Sequence, residues 1–263
     1  MKNRIDKELV NRGLVPSRAK AQELIELGFV KCNNNKIKKC NFLVTEDDNI
    51  EITENDRLKY VSRGGLKLEK AINEFNINLK DLNIMDIGSS TGGFCDCAIQ
   101  NGAKHITAID VGTDLLHPSL RTSDKIDLHE QTNFKDLEHK YFENIDMFVC
   151  DVSFISLKKI VQKIYDENIK SEMVFLIKPQ FECGKEIADK YKGIILNKDI
   201  HFNIIKDLFN YFNSLNIYVK NLTFSPIKGG DGNIEYLVYL SNKINSNNDI
   251  NIIKTINQAF SNR

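Results

Sequence analysis

No C-x-x-C pair occurs among the six cysteines of this chain. That argues against a metal site or a disulfide framework and for buried free thiols in a reducing cytoplasm. Cys95 and Cys97 stand two apart on a predicted helix, so they face different ways. The opening "MKNRIDKELV" lacks the apolar core of a signal peptide. No stretch approaches the roughly 18 uninterrupted apolar residues of a membrane span, so none is expected. Net charge is also missing: the formal total is +0, which argues against a globally basic nucleic-acid binder. What remains is a chain of 263 residues, 41% apolar and 27% charged, enough for one large domain and a small one around real cores.

The zero total is a sum of patches. The first 45 residues hold ten Lys or Arg against four acids; Glu46 to Asp56 then holds six acids and no base; Arg57 to Lys70 is basic again. Segregation of this kind suits a phosphate-binding face, although solvated helix faces also produce it. "IDKELVNRG" spaces Ile5 and Leu9 for a helix that stops at Gly13. "PSRAKAQELIELG" predicts a second helix with Ser17 as N-cap, an apolar face of Ala21, Leu24 and Ile25, and a stop at Gly28. "FVKCN" and "NIEIT" alternate like short strands. The series R-I-D-x-x-L-x-x-x-G-x-x-x-S-R-x-x-A-x-x-L-I-x-x-G-x-V resembles the alpha-L RNA-binding motif. The resemblance covers residues 1–58 and implies a small α+β module whose bases meet RNA phosphates. Arg4 and Arg18 fall on matching positions, Lys39 more loosely, and Arg63 in the following basic stretch joins the expected RNA-binding set.

Residues 59–62 read as a short linker, Gly64 and Gly65 as a turn, and Leu66 to Phe75 as an amphipathic helix. From Asn83 onward strands and helices alternate, which argues for a doubly wound parallel sheet in the domain 63–263. The last two strands, "IYVKNLTFS" and "IEYLVYL", have only a turn-rich link and must be antiparallel. That is the Rossmann-like shape of S-adenosylmethionine-dependent methyltransferases.

"NIMDIGSSTGGFCD" carries the first ligand signal. A strand ends in Asp86 and runs into Gly88, Ser89, Ser90, Thr91, Gly92 and Gly93, then a helix. Ser90 stands where the second glycine of the dinucleotide fingerprint belongs, which removes the compact pyrophosphate cradle. Asp110 ends the next strand, 22 residues after Gly88, the spacing at which a carboxylate reaches a ribose hydroxyl. A cofactor with one ribose and no phosphate fits: S-adenosylmethionine, its ammonium near Asp86. Asn133 in "QTNF" reads equally as an adenine contact or a turn former.

Three polar residues close or open apolar strands: Asp151 after "MFVC", Lys178 after "VFLI", and Glu235 before "YL". Strand direction brings all three to the cofactor's edge of the sheet. A lysine ending an apolar run is costly to bury unless paired; the alternative is a snorkelling surface residue. Lys67 in "GGLK" gives no such signal and reads as a solvated helix residue.

Five segments in order, "YVSRGGLKL", "DIGSSTGGF", "DVSFISL", "IKPQFECGK" and "GNIEY", resemble the TlyA family of bacterial ribosomal RNA 2'-O-methyltransferases. That family is related to the FtsJ-type methyltransferases and their Lys-Asp-Lys-Glu tetrad, which implies Lys67, Asp151, Lys178 and Glu235 here. The resemblance implies methyl transfer from S-adenosylmethionine to a cytidine 2'-hydroxyl of large-subunit RNA, with small-subunit RNA as a second target. It implies no metal, and a cytoplasmic, monomeric protein partnered by ribosomal subunits. Lys178 is the expected base, Lys67 the neighbouring charge, with Asp151 and Glu235 orienting them. Two rival classes stay open: a pore-forming haemolysin, a label the family has carried, and a non-catalytic RNA-binding assembly factor.

Overall fold

A computed structural model describes residues 2–15, 18–26, 28–53, 59–229, 232–244 and 246–262. The expected Ser17 cap, the first basic residue after the acidic run, Arg57, and part of the glycine-rich link before Glu235 lie outside these residues. The chain divides into two units, Met1–Lys59 and Tyr60–Arg263.

The first unit runs β1 (Asn3–Arg4), α1 (Ile5–Asn11), α2 (Arg18–Glu26), β2 (Val30–Cys32), β3 (Asn35–Lys36), β4 (Leu43–Val44) and β5 (Ile50–Ile52). Both helices stop at the expected glycines, whose amides turn back to Val10 O and Ile25 O. The two predicted strands pair antiparallel as β2 and β5, with β3 on the other side of β2. Ile5, Leu9, Ala21, Leu24, Ile25, Phe29 and Val30 form its core. The two-residue pair β1–β4 has no sequence signal, being too short for any alternation to show.

The second unit begins with α3 (Gly64–Phe75), β6 (Asn83–Ile87), α4 (Gly93–Gln100), β7 (His105–Ile109), α5 (Pro118–Arg121) and β8 (Ile126–His129). It continues with β9 (Met147–Cys150), α6 (Leu157–Asp166), β10 (Glu172–Ile177), α7 (Pro179–Glu182) and α8 (Gly184–Lys190). It ends with α9 (Lys198–Ser214), β11 (Tyr218–Phe224), β12 (Tyr236–Ser241) and α10 (Ile252–Ser261). Seven strands form one sheet in the order β11-β12-β10-β9-β6-β7-β8. All neighbours from β10 to β8 are parallel; β12 runs antiparallel between β10 and β11. Chain order reverses between β6 and β9, the switch point where ligands bind such sheets.

Helices cover both faces, so the central strands are apolar end to end rather than alternating. Along β10, Met173, Phe175 and Ile177 enter the core under α6 and α9, while Val174 and Leu176 enter the core under α3 and α4. Leu157, Ile160, Val161 and Ile164 give α6 the buried stripe that holds it there.

Two readings near the start of this unit are corrected. Gly64 and Gly65 are not a turn but the first turn of α3, with Arg63 as N-cap. The reason is close packing against α4: a Cβ on Gly93 would sit 2.8 Å from Gly65 N and 3.0 Å from Gly64 Cα. Residues 60 and 61 pack within this unit, the Val61 amide donating to Asp96 Oδ2 at 2.7 Å.

Candidate active site

Asp151 follows β9, Lys178 follows β10, and Glu235 precedes the antiparallel β12, so the topology delivers all three to one edge of the sheet. Lys67 arrives from α3, on the same buried stripe as Leu68, Ala71 and Ile72. Its Nζ lies 2.8 Å from Asp151 Oδ2 and 3.0 Å from Glu235 Oε2. Lys178 Nζ lies 2.7 Å from Asp151 Oδ1 and donates to Ser153 Oγ at 3.0 Å. Lys67, Lys178 and Glu235 are buried, and Asp151 is nearly so. Charges taken out of water persist only when paired, and here two lysines share two carboxylates.

The sharing is unequal. Burial works against the charge on Lys67, but Asp151 and Glu235 outweigh it and raise its pKa, so it stays an ammonium. Burial likewise opposes the Asp151 carboxylate, yet the two lysines hold its pKa below the usual range. Lys178 has a single carboxylate partner and a hydroxyl.

Sequence reasoning missed the brace behind this cluster. Ser153 meets Lys178, and Glu182 on α7 accepts from Ser156 Oγ at 2.6 Å and Leu157 N at 2.7 Å. Glu182 thereby caps α6 and ties the loop after Asp151 to the segment after Lys178. Phe154 crowns the same loop, 90% exposed, with φ +64° and its ring 4.8 Å from that of Phe181. A bulky residue held in the left-handed region is a signal of function that only coordinates reveal.

The glycine-rich loop lies at the switch point. Met85 and Ile87 face α6 and α9, so Asp86 faces α4. There it accepts a hydrogen bond from Cys95 Sγ at 3.0 Å. Asp86 Oδ1 and Ser89 Oγ are buried and have no hydrogen-bond partner among the described residues. Gly88 takes φ +80°, and a Cβ there would sit 2.8 Å from Val152 Cγ1, so the loop can pass β9 only as glycine. Ser90, at φ +47°, gives its amide to Asp110 Oδ2 at 2.7 Å; Gly112 gives its amide to Asp110 Oδ1 at 2.7 Å. Asp110 is thus a carboxylate fixed by backbone on both oxygens, each with a lone pair to spare.

Residues 60–242 match the model of the FtsJ-like methyltransferase family, and residues 3–50 match the S4 domain. The chain belongs to the FtsJ-like methyltransferase family. The 23S rRNA (cytidine-2'-O)-methyltransferase TlyA of Campylobacter jejuni is 41% identical to it, over 88% of this chain and 96% of that protein. Hemolysin A of Brachyspira hyodysenteriae is also 41% identical, over 90% of this chain and 98% of that one. A solved structure from Streptococcus thermophilus, of a protein named as a hemolysin, is 36% identical with a TM-score of 0.79, covering 99% of this chain and 96% of that one. No helix among the described residues of the FtsJ-like chain is long and apolar enough to cross a membrane.

In this FtsJ-like protein some expected residues have structural work. Asn133 follows β8 and caps a short 3₁₀ turn, its side chain accepting from Lys135 N at 3.2 Å. Arg4 and Arg18 both bind the buried Asp6, Arg4 through two bonds of 3.0 Å and Arg18 through one of 2.8 Å. Burial pushes the Asp6 carboxyl up, but the bonds from Arg4, Arg18 and Gln22 outweigh it and hold it well below the usual range. Lys39 is exposed.

Asp110→Ala is expected to weaken S-adenosylmethionine binding roughly ten- to hundredfold, the worth of a lost hydrogen bond to a charged group. Asp110→Asn, which keeps one acceptor, should lose less. Calorimetry decides; unchanged affinity in Asp110→Ala would remove this residue from the site.

Proposed function

We propose that this chain is an S-adenosylmethionine-dependent ribosomal RNA methyltransferase that modifies a cytidine 2'-hydroxyl, in large-subunit RNA and with small-subunit RNA as a second target. The observation that carries this reading is the cluster of Lys67, Asp151, Lys178 and Glu235 beside the glycine-rich loop. The S4 domain and the rRNA methyltransferase names of its relatives supply the substrate class. A ribosomal RNA substrate supports a cytoplasmic activity, with the ribosomal subunit as partner.

The site's own chemistry suits the cofactor. Asp86 Oδ1 is an unsatisfied acceptor for an ammonium, Ser89 Oγ is an unsatisfied hydroxyl, and Asp110 is a fixed acceptor for ribose hydroxyls. When bound, the cofactor supplies a methyl group already activated on a sulfonium. The remaining difficulty is the 2'-hydroxyl, a poor nucleophile that must lose its proton as it is methylated. Lys178 Nζ, in its neutral form, takes that proton and ends as an ammonium beside Asp151. Lys67 stays charged, orients the hydroxyl, and competes with Lys178 for Asp151. Phe154 and Phe181 offer an exposed aromatic surface next to Lys178, where an unstacked base can lie.

Incubation of purified ribosomal subunits with methyl-labelled S-adenosylmethionine tests the reading. Label should enter RNA with the wild-type protein and not with Asp151→Asn. Subunit binding without transfer would favour an assembly factor, and release of liposome contents by pure protein would favour a haemolysin.

A further inference from the structure

Cys95 is the third residue of α4 and points from that helix straight at Asp86 on β6. Both side chains are buried, at 0% and 1% exposure. The thiol takes up one carboxylate oxygen, Oδ2, and leaves the other, Oδ1, as a buried acceptor without a partner. Burial, then the neighbouring Asp86, push the Cys95 thiol up, so it remains a protonated donor.

We propose that Cys95 is a positioning residue of the cofactor site: its thiol fixes Asp86 through Oδ2 as a carboxylate, keeping Oδ1 for the ammonium of the methyl donor. This rests on the proposed S-adenosylmethionine site and adds to it the group that makes Asp86 a competent partner.

The groups facing Asp86 work in opposite directions. Burial raises its pKa to about 7; the Cys95 thiol and backbone amide oppose the rise, while the charges of Asp151 and Asp110 add to it. As pH falls through about 7 the side chain passes from a carboxylate to a neutral acid, which keeps a carbonyl acceptor but loses the charge that attracts an ammonium. Affinity for a ligand whose amino group is protonated should therefore increase as pH rises through about 7, until the ligand's own ammonium begins to lose its proton. Cys95→Ala removes the thiol and keeps the backbone amide. A hydrogen bond to a charged group corresponds to about one to two pH units; a thiol is a weak donor, so the midpoint should move up by about one.

The experiment is calorimetric titration with S-adenosylhomocysteine between pH 6 and 8.5, alongside carbon NMR of the Asp86 carboxyl in the protein without ligand. For a one-unit shift, Cys95→Ala should bind about tenfold more weakly than wild type at pH 6 and within about twofold at pH 8.5. Cys95→Ser, which restores a donor, should follow the wild-type profile; it also serves as the test if the alanine variant folds poorly. An Asp86 midpoint that stays put in Cys95→Ala, or a loss of affinity equal at both pH values, overturns the proposal and leaves Cys95 as packing. A carboxyl that titrates near 7 while wild-type affinity stays flat with pH overturns the assignment of Asp86 to the ammonium, and the proposal with it.

Discussion

Lys178→Ala should bind S-adenosylmethionine and ribosomal subunits as wild type does, yet transfer methyl groups more slowly by roughly 10²–10⁴, the range for loss of a general base. The geometry separates the two lysines. Lys67 is clasped by Asp151 and Glu235 and keeps its proton; Lys178 shares only Asp151 and touches a neutral serine. Lys178→Arg should fail as well, because a guanidinium does not give up its proton in this range. Lys67→Ala removes the ammonium clasped by Asp151 and Glu235 and should slow turnover as well. Single-turnover methylation of purified subunits across pH separates the cases. A Lys178→Arg variant that works at the wild-type rate would reduce Lys178 to a fixed positive charge.

A chain starting at Tyr60 should keep its cofactor affinity and lose most ribosomal RNA methylation. The tetrad and the glycine-rich loop lie wholly in Tyr60–Arg263, and the first unit has a core of its own. Phosphate contacts dominate RNA affinity, so the missing unit should appear as a weaker, less salt-dependent association. Single substitutions need care. Arg4→Ala or Arg18→Ala strips a partner from buried Asp6, so a lower melting temperature should accompany any loss of RNA binding. Lys39 is exposed, and Lys39→Ala should flatten the log–log salt slope by roughly one per lost phosphate contact without affecting stability. Full methylation by the shortened chain would show that the first unit does not dock RNA.

The legible and illegible parts of this site divide along physical lines. Asp151, Lys178 and Glu235 were readable because each breaks an apolar strand at its end, and strand direction alone assigns such residues to an edge. Lys67 was not, because a charge on a helix usually faces water. The available clue was its place on the buried stripe with Leu68, Ala71 and Ile72. Arg4 and Arg18 read as phosphate contacts because their charge is visible in the sequence, whereas their common anchor, Asp6, is a matter of packing. Gly64 and Gly65 imitated a turn because two glycines together usually make one; their real purpose, letting α3 approach α4, involves a residue nearly thirty positions away. Ser153, Phe154 and Glu182 sit inside quoted motifs, but a brace between two loops is defined by distance and a left-handed φ, neither of which a linear pattern contains.

Deprotonation of a ribose hydroxyl, with transfer of a methyl group to its oxygen, is the chemistry proposed for this site. The most direct test is mass spectrometry of nucleosides and RNA fragments from subunits treated with the purified protein and S-adenosylmethionine. A single new mass on cytidine, carried by the sugar and absent after treatment with Lys178→Ala, is the predicted result. A methyl group on the base, or one that still forms at full rate without Lys178, would contradict it.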